Sequence, residues 1–219
     1  GDGSRLRRVT QGLGDCREPV FLARAAIDSP EFRNRVRWIG FSSTAPGGTE
    51  EYGRWPLVSL YATNLEPLPG QGSVVWRTTY GLGGDQGPTV LSDGRTAYSS
   101  WQRLGFALMT TTWAGEELNP LYGSHDDDWS QLDVCERPGR RDLVFVERRG
   151  GDPGDRSGRL ACVSLRRPLH SHRVLSADDR RYRTPQALDD GTLIVSVAAP
   201  SGQFGLYLFD ESKGRPGHR

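Results

Sequence analysis

The sequence predicts an all-β fold of repeated four-stranded antiparallel units, and three observations predict it. Short β-rich runs, separated by Gly, Pro, Asp and Ser clusters, extend along the whole chain. Helical periodicity is nearly absent, since the best stretch, Arg24 to Arg37, is broken by Asp28-Ser29-Pro30 and has no sustained apolar stripe. The chain also repeats itself. Pro88-Thr89-Val90-Leu91-Ser92-Asp93-Gly94 returns 97 residues later as Pro185-Gln186-Ala187-Leu188-Asp189-Asp190-Gly191, about two units of the 40–50 residues of a propeller blade. A degenerate copy, Leu132 to Gly139, lies midway, and Gly12-Leu13-Gly14 with Pro19 returns 69 residues on as Gly81-Leu82-Gly83 with Pro88. The expected architecture is a β-propeller of four-stranded antiparallel blades, with about four blades visible.

The elements follow in order. Arg5 to Thr10 reads as an outermost strand (4–10) preceding the first blade (18–80), whose strands are Val36 to Phe41, Leu57 to Ala62 and Val74 to Thr78. In the second blade (86–123), Thr89 to Leu91 turns tightly at Asp93-Gly94 into Thr96 to Trp101, then Ala107 to Thr112 and Leu118 to Tyr122. The third (129–177) has Leu143 to Val146, Leu160 to Leu165 and His172 to Leu175. The fourth (183–219) has Leu193 to Val197 and Gly205 to Phe209, and lacks a fourth strand. Either the N-terminal strand supplies it and closes the ring, removing an open edge, or the chain is an excerpt of a larger ring. The start, Gly1-Asp2-Gly3-Ser4, with Met109 the sole methionine, favours the excerpt.

Composition agrees with a turn-rich folded chain. The 35% hydrophobic content rises to about 48% once the 28 glycines are counted, inside the globular range. Charge is balanced, 28 basic against 27 acidic, which gives no reason to expect a nucleic acid or an anionic membrane as partner. Only Lys213 among the basic residues is a lysine. An arginine-lined anion or carbohydrate surface is one reading; arginines scattered beside Asp and Glu favour solvated faces. No segment reaches the roughly 18–20 apolar residues of a membrane span.

Several groups carry possible chemistry. Cys135 and Cys162 fall on the first and third strands of one blade, about 9–10 Å apart, too far for a disulfide. Two buried thiols are expected, with Cys16, in a loop, the reactive one. Asp15, Asp85, His125-Asp126-Asp127-Asp128 and Asp178-Asp179 recur between blades, where loops converge on the channel mouth. A divalent cation held by Asp15, Asp85, His125, Asp126, Asp127 and Asp128 competes there with plain turn hydrogen bonding. His170 and His172 would share one strand face without a third ligand. Trp38, Trp76, Trp101 and Trp113 are expected to pack between blades, whereas Trp55 and Trp129, with Arg54, Asp178 and Asp179, are binding-surface candidates. There is no nucleophile elbow, no P-loop and no dinucleotide fingerprint.

Arg7 to Pro19, Pro88 to Tyr98 and Pro185 to Val197 resemble the blade repeats of TolB-type (PD40) propellers. Pro88 through Tyr98, Trp101, Leu108-Met109-Thr110 and Asn119 to Gly123, continued by Tyr182 to Pro185 and Phe204 to Leu208, more closely resemble the middle propeller domain of hydrazine synthase alpha subunit-like bacterial proteins. The resemblance implies a periplasmic or extracellular location and a chain that works with a protein partner or other domains of its polypeptide. Covalent haem needs Cys-x-x-Cys-His, and Cys16, Cys135 and Cys162 are isolated, so no cofactor is expected in this chain. The expected role is a non-catalytic binding or scaffold module acting through the mouth loops Ser42 to Trp55 and Arg148 to Ser157 and the acidic loops between blades. The alternative is the propeller portion of a redox or hydrolytic enzyme whose catalytic part lies elsewhere.

Overall fold

Four sheets, each a four-stranded antiparallel meander, follow one another along the chain. The computed structural model describes residues 6–22, 36–68, 70, 72–150, 152 and 154–217. Sheet 1 holds β1 (Cys16–Phe21), β2 (Trp38–Ser43), β3 (Ser59–Asn64) and β4 (Val75–Arg77); sheet 2 holds β5 (Asp85–Val90), β6 (Thr96–Trp101), β7 (Phe106–Thr111) and β8 (Asn119–Tyr122). Sheet 3 holds β9 (Trp129–Arg137), β10 (Asp142–Arg149), β11 (Arg159–Ser164) and β12 (Arg173–Val174); sheet 4 holds β13 (Tyr182–Ala187), β14 (Leu193–Ala198), β15 (Phe204–Asp210) and β16 (Arg215–Pro216). Contacts run from β1 to β5, β5 to β9 and β9 to β13, so the first strand of each sheet lies innermost and the sheets are arranged as propeller blades.

The repeated turn has one physical basis. In the β5–β6 hairpin Gly94 takes φ +89° while the Asp93 carboxylate accepts the Arg95 amide at 3.0 Å; between β13 and β14, Gly191 takes φ +81° and Asp190 accepts from Thr192 at 2.8 Å. Aspartate closes the turn and glycine supplies the left-handed backbone.

Sheet 3 shows how the core is divided. On β10, Leu143 and Phe145 pack with Leu91 and Leu108 of sheet 2, while Val144 and Val146 pack with Val195 and Val197 of sheet 4. Covered on both faces, β10 reads as a continuous apolar run, whereas β14 alternates buried and half-buried positions. Cys135 and Cys162 both pair with Val144 from opposite sides, which separates them by two strand spacings; both thiols are free and buried. Trp38, Trp76 and Trp113 cluster between sheets 1 and 2, with ring centroids 4.6 Å and 5.0 Å apart along the chain of three.

Two expectations change. Residues 6–10 form no strand and leave Leu6 93% exposed, and sheet 4 is completed by its own β16. The expected strand over 4–10, whose residues 4 and 5 lie outside the described residues, therefore closes no blade: a short strand following the Asp210 turn already occupies the edge of β15. Most of the helical stretch considered at Arg24 to Arg37 also lies outside the described residues.

Candidate ligand site at the channel mouth

The four innermost strands share one distortion. Each breaks register once against its neighbour, between Arg17 and Val20, Gln86 and Thr89, Leu132 and Cys135, and Arg183 and Gln186. At each break one residue takes a left-handed backbone: Glu18 (φ +55°), Gly87 (+64°), Asp133 (+52°) and Thr184 (+44°). Such bulges re-aim a side chain, and three of the four are held by residues other than glycine, at a backbone cost of about 1–3 kcal/mol each.

Two of them, Glu18 and Asp133, aim their carboxylates at a guanidinium. Arg156, from the β10–β11 loop, bonds Glu18 of β1, Asp133 of β9 (Nε to Oδ1, 2.9 Å) and the Gln86 amide oxygen of β5 (3.2 Å). The second oxygen of each carboxylate takes a bulge amide of the next sheet: Glu18 accepts from Gly87 N–H at 2.6 Å, and Asp133 from Thr184 N–H at 3.1 Å. Ser42 adds a hydroxyl donor to Glu18 at 2.7 Å. A Cβ on Gly87 would lie 3.0 Å from Arg156 Nη2, so glycine makes room for the arginine. Beside Arg156, the Asp155 carboxylate accepts from Ser157 Oγ at 2.6 Å and Arg183 Nη2 at 3.3 Å, anchoring the loop that delivers it.

Above this hub lies a cavity of about 420 Å³, within the range of small-molecule sites. Trp55, Pro56, Val58, Trp101 and Phe106 supply apolar walls; Asp15, Arg17, Glu18, Glu50, Gln86 and Arg156 supply polar ones. Glu50 is buried and its two oxygens accept the Tyr52 and Arg54 amides at 2.7 Å each, bending the loop so that Trp55 reaches the wall. Among the described residues, Trp55 Nε1, Trp101 Nε1 and Gln86 Nε2 are buried donors without a partner. A second cavity of about 470 Å³, lined by Val20, Thr89, Val134 and Gln186 of the four inner strands, shares Glu18 and Arg156 with the first.

The sequence candidates separate. Asp15 and Trp55 line the mouth cavity, and the exposed Arg54 stands 5.4 Å over both the Tyr52 and Trp101 rings. Asp85 is not a loop ligand: it opens β5, is 3% exposed, and burial raises its pKa against hydrogen bonds from Ser100 and Thr79. His125, Asp126, Asp127 and Asp128 are exposed, and Asp127 accepts the Trp129 amide at 3.3 Å. Among the described residues no three His, Cys, Asp or Glu side chains are grouped to hold a metal ion. Trp129 lies away from the cavity, covered by Arg149 and Arg159 at 5.3 and 4.3 Å. Asp178 is engaged by the Tyr182 hydroxyl at 2.7 Å, and Asp179 is exposed. His170 ends a short 3-10 turn (Pro168–His170) rather than lying in a strand, while His172 stacks on Tyr122 and contacts Glu147 at 3.1 Å, so the two imidazoles form no pair. Glu18, Gln86 and Arg156 were not singled out by the sequence; the residue preceding Pro19, Pro88 and Pro185 is the signal that marks the bulges.

Among the described residues, no helix is long and apolar enough to cross a membrane. No family model matches the chain. A structure of a gluconolactonase-like protein superposes over 93% of this chain and 62% of its own with a TM-score of 0.57 at 15% identity, which shows the fold alone. The chain is 26% identical to hydrazine synthase subunit alpha of Kuenenia stuttgartiensis over its whole length, spanning about a third (32%) of that relative. The solved hydrazine synthase of the same organism superposes on all of it with a TM-score of 0.84, covering 34% of the matched chain. The chain is thus a propeller module similar, from end to end, to part of a hydrazine synthase alpha subunit, as the repeats and the residues around Trp101 and Tyr122 imply.

Proposed function

We propose that this chain is a binding module of an exported bacterial protein and that it recognises its ligand at the channel mouth. The observation that carries the reading is the 420 Å³ cavity walled by Trp55, Trp101 and Phe106 over the Arg156 hub. Its polar groups are fixed by bulged strands and by hydrogen bonds within the loops, the preorganisation a binding site needs. Glu18 and Glu50 are occupied by backbone amides, which suits holding a ligand better than moving protons. A thermal-shift and tryptophan-fluorescence screen of chemically varied small molecules tests it. Ligands whose binding is lost in Trp55→Ala and kept in Trp129→Ala support the reading; responses that ignore Trp55 defeat it.

The similarity to about a third of a hydrazine synthase alpha subunit favours a second reading, the propeller portion of a redox or hydrolytic enzyme whose catalytic part lies outside this chain. The mouth would then hold substrate or a neighbouring domain. Turnover that requires an added domain, and that Trp55→Ala impairs, would select it.

A further inference from the structure

We propose that the mouth cavity takes a neutral polyhydroxylated ligand, a saccharide of one or two rings. The inference rests on the binding-module reading and narrows it. Its basis is the mismatch between what the cavity walls offer and what they already satisfy. Trp55 Nε1, Trp101 Nε1 and Gln86 Nε2 are donors without partners among the described residues. The Gln86 amide orientation follows from its own network, because Oε1 accepts from Arg156 and Nε2 is therefore left on the other side. All three donors belong to side chains that line the cavity, so a ligand seated there can meet them after a small side-chain adjustment. Buried donors of this kind await acceptors.

The remaining wall chemistry selects among acceptors. Three carboxylates (Asp15, Glu18, Glu50) and two guanidinium groups (Arg17, Arg156) line the cavity. An anion would meet the three carboxylates; a cation would meet two arginines and three N–H groups; a purely apolar molecule would leave the N–H groups unpaired. Hydroxyl groups both donate and accept, so a polyol satisfies carboxylates and N–H donors together. Its C–H faces match the rings of Trp55 and Trp101, and the volume suits a small saccharide.

The test uses the full 219-residue chain. Methyl glucoside, cellobiose and sucrose are titrated by tryptophan fluorescence and calorimetry, beside gluconate, glucosamine and indole as anionic, cationic and apolar probes of similar size. A neutral saccharide is expected to bind with a dissociation constant of about 1 mM or tighter and to exceed the other three probes. Trp55→Ala should weaken binding about tenfold through lost stacking. Trp101→Phe and Gln86→Leu, each removing one donor, should weaken it about two- to tenfold, while Trp129→Ala leaves it unchanged. Circular dichroism and melting curves identify any variant that fails to fold, and Gln86→Leu, on a half-buried residue, keeps the test open if Trp101→Phe does. If gluconate, glucosamine or indole binds best with the same dependence on Trp55, the saccharide assignment falls and the mouth remains a binding site. If no probe binds, or binding ignores Trp55, Trp101 and Gln86, both fall.

Discussion

Arg137 and Arg156 each lie between two carboxylates, yet they do different work. Arg137 ends β9 and its side chain is fully shielded; Nε donates to Asp142 Oδ1 at 2.8 Å and Nη1 to Glu211 at 2.6 Å. Asp142 stands directly opposite on β10, and Glu211 reaches across from the β15–β16 turn, where Arg140 and Arg173 also bond it. Arg156 comes instead from a loop, keeps 20% of its side-chain surface in solvent, and joins sheets 1 and 3. A desolvated pair on adjacent strands fixes the junction of sheets 3 and 4, whereas a loop-borne arginine in a water-accessible channel shapes a cavity.

The largest effect is expected at Arg137. Arg137→Ala leaves Asp142 and Glu211 without their central cation and should cost about 3–5 kcal/mol, read from denaturant unfolding. Arg156→Ala should cost less, about 1.5–3 kcal/mol, because the Arg156 side chain already keeps 20% of its surface in solvent whereas Arg137 is fully shielded. Its larger consequence should be on ligand binding at the mouth. If Arg156→Ala proved the more destabilising of the two, the division between stability and shape would fail.

Gly87 sharpens the contrast at smaller scale. Alanine there keeps φ near +64° at a cost of about 1–2 kcal/mol and meets Arg156 Nη2. Combining it with Arg156→Ala removes the steric part and leaves the backbone cost, so the double mutant should be more stable than the sum of the two single losses. Strict additivity would mean that glycine is needed for backbone alone.

This hub was the part of the molecule least legible in sequence. The turns at Asp93-Gly94 and Asp190-Gly191 carry their own hydrogen bonds and glycines within a few residues, so the repeat announced the blades. Of the four left-handed positions, Glu18, Gly87 and Thr184 are marked only by the proline that follows each, and Asp133 lacks even that. Arg156 was one arginine among 27, and its partner Glu18 lies 138 residues away. Asp85 misled because a recurring aspartate between blades looks like a loop residue; the register shows it opening β5, opposite Ser100, and there it is buried.

Acid should separate the two clusters as well. Burial pushes the Glu211 carboxyl up, but hydrogen bonds from Arg137 and Arg173 outweigh it and hold the pKa at about 2, below its ordinary 4.5. The stability it contributes is therefore fully present above pH 4.5 and is lost as pH falls through about 2. Glu211→Gln should flatten the fall in unfolding midpoint between those values, and Arg137→Ala should do the same by removing the first partner. A wild-type slope that survives both changes would place the acid sensitivity elsewhere.

Cysteine labelling reads the same contrast with no change in overall stability required of the wild type. Burial pushes the thiol pKa of Cys135 up to about 12 and that of Cys162 up to about 11, whereas Cys16 is exposed at the start of β1. In the folded chain iodoacetamide should therefore modify Cys16 and spare the other two, since the thiolate is the reacting form and must also be reached. Cys135 lies two residues before Arg137 on β9, and both strands beside Val144 open if the Arg137–Asp142 closure is lost. Arg137→Ala should expose Cys135 and Cys162 to the reagent under native conditions, by local opening well below the global unfolding cost. Arg156→Ala should leave the labelling of Cys162 at the wild-type rate, because its contacts hold the bulges of β1 and β9, two strands away from Cys162 on β11, whereas Cys135, two residues beyond Asp133, does not discriminate the two variants. Equal labelling of Cys162 in the two variants would mean that the channel hub and the outer junction open as one cooperative unit.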